Sequence, residues 1–233
     1  MFLKKPVLAI IILALSCIPV LWAGDSAVFV DLGFSQDGRT YMFGQYGVLS
    51  PSLHPWAELH VVDIAGNSYV PNGRISYTQN SAIRAGNDGA GVYRTLLANN
   101  TSLTSRYGIN FQNQGLPLYI SRDENPPARG ETIDFRDFLS GKRYVARLIP
   151  TITGSGANVR SQFYITLEAT SANGHVRNYT IGNPNFVRQR IMQYNIKRVL
   201  IDSEGRSIIF VIEMKRHASN GHDTRYMIEA VRL

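Results

Sequence analysis

Phe34-Ser35-Gln36-Asp37-Gly38-Arg39-Thr40-Tyr41-Met42-Phe43 recurs near the other end of the chain. The second copy is Ile201-Asp202-Ser203-Glu204-Gly205-Arg206-Ser207-Ile208-Ile209-Phe210, with every position 167 residues beyond its match. In each copy an acid, a glycine and an arginine separate two runs rich in β-branched and aromatic residues, the pattern of a strand-turn-strand hairpin. Glycine supplies the left-handed backbone angle that a Cβ disfavours, and the preceding acid can accept hydrogen bonds from turn amides. The arginine opens the return strand and can lay its stem along the hairpin. Asp37, Gly38, Arg39, Glu204, Gly205 and Arg206 are therefore read as structural turn residues, and Asp37 with Glu204 is not an acid/base pair. At the same spacing Leu59-His60-Val61-Val62 falls on Tyr226-Met227-Ile228-Glu229. Each unit, over 27–64 and 194–231, is then expected to read strand, turn, strand, loop (44–57 or 211–224) and strand.

Working outward, strand signals dominate. Ala27–Phe34, Thr40–Phe43, Glu58–Ile64 and Arg74–Thr78 are candidates before residue 80. From Lys142 the chain reads as a meander: Arg143–Ile149 and Gln162–Glu168 alternate, followed by His175–Ile181, Tyr194–Ile201, Ser207–Glu213 and Arg225–Val231. Val92, Leu96, Leu97 and Leu103 approach helical spacing and predict one helix near 91–106, which Asn99-Asn100-Thr101 weakens in its middle. Asp123–Pro127 reads as a loop and Ile133–Leu139 as a short helical turn. The fold class is mainly β and antiparallel, as a sandwich, a partly closed barrel or a reduced propeller-like arrangement. No acid-Gly-Arg turn recurs near Gln79, Ser121 or Phe163, where intermediate blades would place one.

The first residues set the compartment. Lys4 and Lys5 precede an apolar run to Ala23, the order of a secretion signal. Cleavage is expected after Ala23, leaving 24–233 as a single secreted β-rich domain. A second reading takes Ala14-Leu15-Ser16-Cys17 as a loose lipobox with Cys17 acylated, and a third keeps the leader as an anchor. In these two the chain touches a membrane; in the first it diffuses in the periplasm or outside the cell. Cys17 is the one cysteine, so the exported part contains no disulfide of its own. Loss of Lys4 and Lys5 takes the formal charge from +7 to +5, without a long basic run, which argues against a nucleic-acid partner.

Common catalytic signatures, including His-Glu-x-x-His, Gly-x-Ser-x-Gly and the Walker pattern, do not occur in the sequence. His54 and Trp56 fall in the first unit's loop; His217, His222 and Asp223 fall in the second's. If the loops converge, they form a candidate metal or ligand site, and Trp56 with Tyr46 forms a ligand platform. His60 reads as a satisfied strand residue. The leading expectation is a non-enzymatic envelope binding or scaffold module without a cofactor, its partner an unidentified envelope protein or ligand. The alternative is a secreted metal-dependent hydrolase built on the histidine-bearing loops.

Two resemblances bear on this. The Phe34-Ser35-x-Asp37-Gly38-Arg39-x-x-x-Phe43 signature resembles TolB-like, WD40-related β-propeller repeats. Asp31–Gly47, together with the tail Tyr226–Ala230, resembles an uncharacterised bacterial family of predicted secreted proteins, domain of unknown function 2259. That resemblance implies export and carries no reaction, cofactor or catalytic residue.

Overall fold

The computed structural model describes residues 24–122, 130–219 and 221–233. The leader with Cys17 and Ala23, and the Asp123–Pro127 loop, lie outside the described residues. Mainly antiparallel β structure is what the chain builds, in three sheets of which none closes into a barrel. The first sheet is a meander of β1 (Val28–Phe34), β2 (Thr40–Leu49), β3 (His54–Asp63) and β4 (Ser68–Thr78). After it come α1 (Ala90–Asn99) and α2 (Thr101–Arg106), then β5 (Leu116–Ile120). The second sheet contains β6 (Glu131–Arg136), β7 (Arg143–Thr153), β8 (Arg160–Thr170), β9 (Val176–Ile181) and β10 (Arg188–Gln189). The central sheet has the order β13-β12-β11-β5, with β11 at Ile191–Ile201, β12 at Ser207–Ala218 and β13 at Gly221–Arg232.

The layers follow from side-chain alternation. On β12, Ile208, Phe210 and Ile212 pack with Tyr144, Phe163 and Ile165 of the second sheet. Ile209 and Val211 point the other way and pack with Phe34, Tyr41 and Phe43 of the first sheet. Residues 208–212 are therefore an unbroken apolar run because both faces of this strand are buried. The far face of the first sheet, with Met42, Leu59 and Val61, is covered by Val92, Tyr93, Leu96 and Leu103 of the helices. Helices, first sheet, central sheet and second sheet thus form an open, sandwich-like stack.

The two duplicated turns adopt one geometry. Gly38 and Gly205 have φ of 66° and 68°. Ser35 N–H donates to Thr40 O and Asp202 N–H to Ser207 O, both at 2.9 Å. The turns also touch: Ser207 Oγ donates to Gly38 O at 3.0 Å and the Arg206 guanidinium to Asp37 O at 3.3 Å. The terminal units are neighbours despite the chain between them.

Several expectations are corrected. The segments 44–57 and 211–224 are not long loops: β2 continues to Leu49 and β12 to Ala218, so they are the ends of extended hairpins. The second unit is also out of register by two residues, since His60 pairs with Phe43 whereas Glu229 pairs with Phe210. The expected helix over 91–106 breaks at Asn100, whose side-chain amide donates to Leu96 O at 2.7 Å and ends α1. Ile133 belongs to β6, because Ile133 and Phe135 bury alternately against the second core.

A candidate cleft between the three sheets

On β3, alternate residues Trp56, Glu58 and His60 share the face turned toward the central sheet, while Ala57 and Leu59 face the helices. Gln45, opposite Glu58 on β2, donates its amide to Glu58 Oε2 at 2.8 Å. His60 Nε2 lies 3.0 Å from the same oxygen, an arrangement in which Nε2 carries the hydrogen. The imidazole stacks on Phe43, ring centres 4.6 Å apart, and is buried. Its Nδ1 is also buried and has no hydrogen-bond partner among the described residues. Burial pushes the Glu58 carboxyl upward, but His60, Gln45 and Arg225 outweigh that and hold it below its ordinary value.

Gln45 also ties the first sheet to the central one. Its carbonyl accepts from Tyr226 N–H at 2.9 Å and its amide reaches Tyr226 O at 3.3 Å, closing part of the β13 edge. Farther along, Asn67 in the β3–β4 turn accepts from Ala230 N–H at 2.7 Å and donates to Glu229 at 2.5 Å. Arg188, from the second sheet, reaches Glu229 at 3.5 Å while its guanidinium lies over Phe163 and Phe186 at 4.7 and 4.8 Å. Burial raises the Glu229 carboxyl above its ordinary value, with Asn67 and Arg188 offsetting only part of the effect.

Between the sheets lies an open cleft of about 380 Å³ whose walls include Glu58, His60, Tyr69, Arg74, Arg188 and Arg216. It adjoins a hollow of about 630 Å³ beside Asn67, Gly182 and Glu229, the two sharing Tyr69, Phe186, Arg188 and Met227. Arg74 lies over Tyr69 at 4.9 Å. Neither Arg74 nor Arg216 has an ion-pair partner among the described residues. The cleft thus presents guanidinium groups with no ion-pair partner among the described residues beside the aromatic faces of Tyr69 and Phe186.

The sequence candidates are distributed differently. Trp56 is buried; it donates to Asp25 Oδ2 at 2.7 Å and lies under the Arg225 guanidinium at 4.1 Å. Arg225 pairs with the same Asp25 oxygen at 2.6 Å, and Asp223 accepts from Asp25 N–H at 3.2 Å. Burial raises the Asp25 carboxyl above its ordinary value despite Arg225 and Trp56. Trp56 of the first hairpin and Arg225 of the second meet here, and the Asp25 carboxylate, which precedes β1, binds both. His217 and His222 face each other across β12 and β13, and His54 sits at the start of β3. Among the described residues no group of three or more His, Cys, Asp or Glu is arranged to hold a metal ion. Tyr46 stacks on Tyr93 at 5.3 Å on the helix side, so the expected platform with Trp56 is split across two faces of one sheet.

The matched family takes in almost all of this geometry. The chain belongs to the family described as predicted secreted protein (DUF2259). Its model matches residues 42–232, which include Gln45, His60, Arg74, Arg188 and Glu229. No curated protein and no solved structure matches the chain. Membership of DUF2259 agrees with the export read from the leader and assigns no reaction. Neither the family match nor the sheet topology supports the propeller likeness of the terminal hairpins.

Sequence reading named His60 as an interruption of an apolar strand but missed Glu58, Gln45, Arg74 and Arg188 as its company. Glu58 and His60 alternate in β3, a visible sign of one polar strip. Arg188 lies between Val187 and Gln189 with no local pattern, and only packing brings it to the cleft.

Proposed function

We propose that this DUF2259 protein is a non-enzymatic envelope binding module that takes a small ligand with an anionic group in the cleft between its sheets. The observation that supports this reading most directly is that Arg74 and Arg216 line the cleft with no ion-pair partner among the described residues. Guanidinium groups suit carboxylate or phosphate oxygens, and the Tyr69 and Phe186 faces suit the body of a ring.

Calorimetric titration of the exported chain with inorganic phosphate, glucuronate and glucose tests the reading. Phosphate or glucuronate is expected to bind and glucose not. Arg74→Ala is expected to weaken anion binding about tenfold, close to 1.4 kcal/mol. Equal affinity for glucose and glucuronate, or full anion affinity in Arg74→Ala, would remove this site.

A further inference from the structure

The β6–β7 turn carries the two most exposed large apolar side chains among the described residues: Phe138 is 91% exposed and Leu139 82%. They are not there because the turn is slack. Buried Asp137 accepts from Leu139 N–H at 2.9 Å and from Ser140 Oγ, while Gly141 N–H donates to Asp137 O at 2.8 Å. A hydrogen-bonded turn therefore holds an aromatic and an aliphatic side chain in water, away from the core to which Phe135 belongs.

The surroundings are basic. Arg136, Arg143, Thr170 and Val176 form one row across β6, β7, β8 and β9. Lys142 follows the turn, and exposed His175, at the end of the neighbouring β8–β9 connection, and exposed Val176 and Arg177, at the start of β9, flank it. A Cβ on Gly141 would meet Ala172 of that connection at 3.6 Å, so the two turns adjoin. Asp134 and Glu168 lie two positions back from the row, and Asp134 is already engaged by Arg143.

We infer that this end of the second sheet is a membrane-contact tip: Phe138 and Leu139 enter the interface of a bilayer while Arg136, Lys142 and Arg177 meet anionic phospholipid headgroups. Charge complementarity commits the surface to this occupant, since cations around an apolar tip match an anionic interface. A convex pair of side chains also falls far short of the roughly 800 Å² per partner of a stable protein interface. This contact uses none of the residues that line the cleft.

Co-sedimentation with phosphatidylethanolamine/phosphatidylglycerol vesicles and with phosphatidylcholine vesicles tests it on the exported chain. Binding is expected at least tenfold tighter to the anionic vesicles, and at least tenfold weaker in Phe138→Asp/Leu139→Asp with an unchanged melting curve. The indole introduced by Phe138→Trp is expected to shift to the blue and be quenched by brominated acyl chains. Equal vesicle binding by the double variant with an unquenched indole assigns the contact to another surface of the chain and overturns the inference. Loss of a protein partner by the double variant, without vesicle binding by the wild-type chain, overturns it as well.

Discussion

Ser35 and Asp202 occupy matching positions of the duplicated turns and satisfy the same two amides with different chemistry. Ser35 Oγ accepts from Arg39 and Thr40 N–H at 3.1 and 3.0 Å; Asp202 Oδ1 accepts from Arg206 and Ser207 N–H at 2.6 and 2.9 Å. Asp37 supports the first turn as its spacing implies, taking Arg39 N–H at 3.1 Å and the Ser35 hydroxyl at 2.7 Å. Glu204 does not repeat this role, because it points outward and pairs with Arg206. Asp202→Ala is expected to lower stability by about 1–3 kcal/mol, because it strands two turn donors. Glu204→Ala should stay within about 0.5 kcal/mol, as exposed ion pairs do. Urea midpoints of the two variants separate these outcomes. The acid-Gly-Arg spacing located both turns. It did not show which acid caps the second, because that depends on the direction of a side chain.

At the level of elements, β12 explains why a continuous apolar run is a strand here. Ile209 serves the core shared with the first sheet and Ile212 the core shared with the second. Truncating either to alanine removes packing from a fully buried site, and each change is expected to cost about 2–5 kcal/mol by chemical denaturation. A strand buried on one face only would lose much less at one of the two positions. The strand was legible in the sequence from its β-branched residues. Its depth in a three-sheet stack was not, since a short apolar run gives no count of neighbouring layers. The break at Asn100 was foreshadowed by its asparagine-rich surroundings, whereas the two-residue shift between units was hidden, because the sequence aligns without a gap while pairing depends on hairpin geometry.

Across the whole molecule, Glu229 marks where the three sheets meet: it belongs to β13, binds Asn67 from the first sheet and pairs with Arg188 from the second. Its folded-state pKa is raised by burial. The folded chain therefore holds this proton more tightly than the unfolded chain, and the associated stability is fully present below the ordinary carboxylate value of about 4.3. It is lost as pH rises through the folded value. Glu229→Gln cannot ionise, so its stability relative to wild type is expected to improve as pH rises from about 4 in urea titrations. A difference independent of pH would show that this carboxyl does not titrate differently on folding. By itself the sequence determined the mainly β class and the duplicated turns, because short-range alternation and turn chemistry are written locally. Only the tertiary structure decided that the duplicated turns touch, that Trp56 is buried under Arg225, and that Glu58, His60, Arg74 and Arg188 share a cleft. Those facts arise from burying the faces of three sheets against one another, a long-range packing outcome that no local pattern encodes.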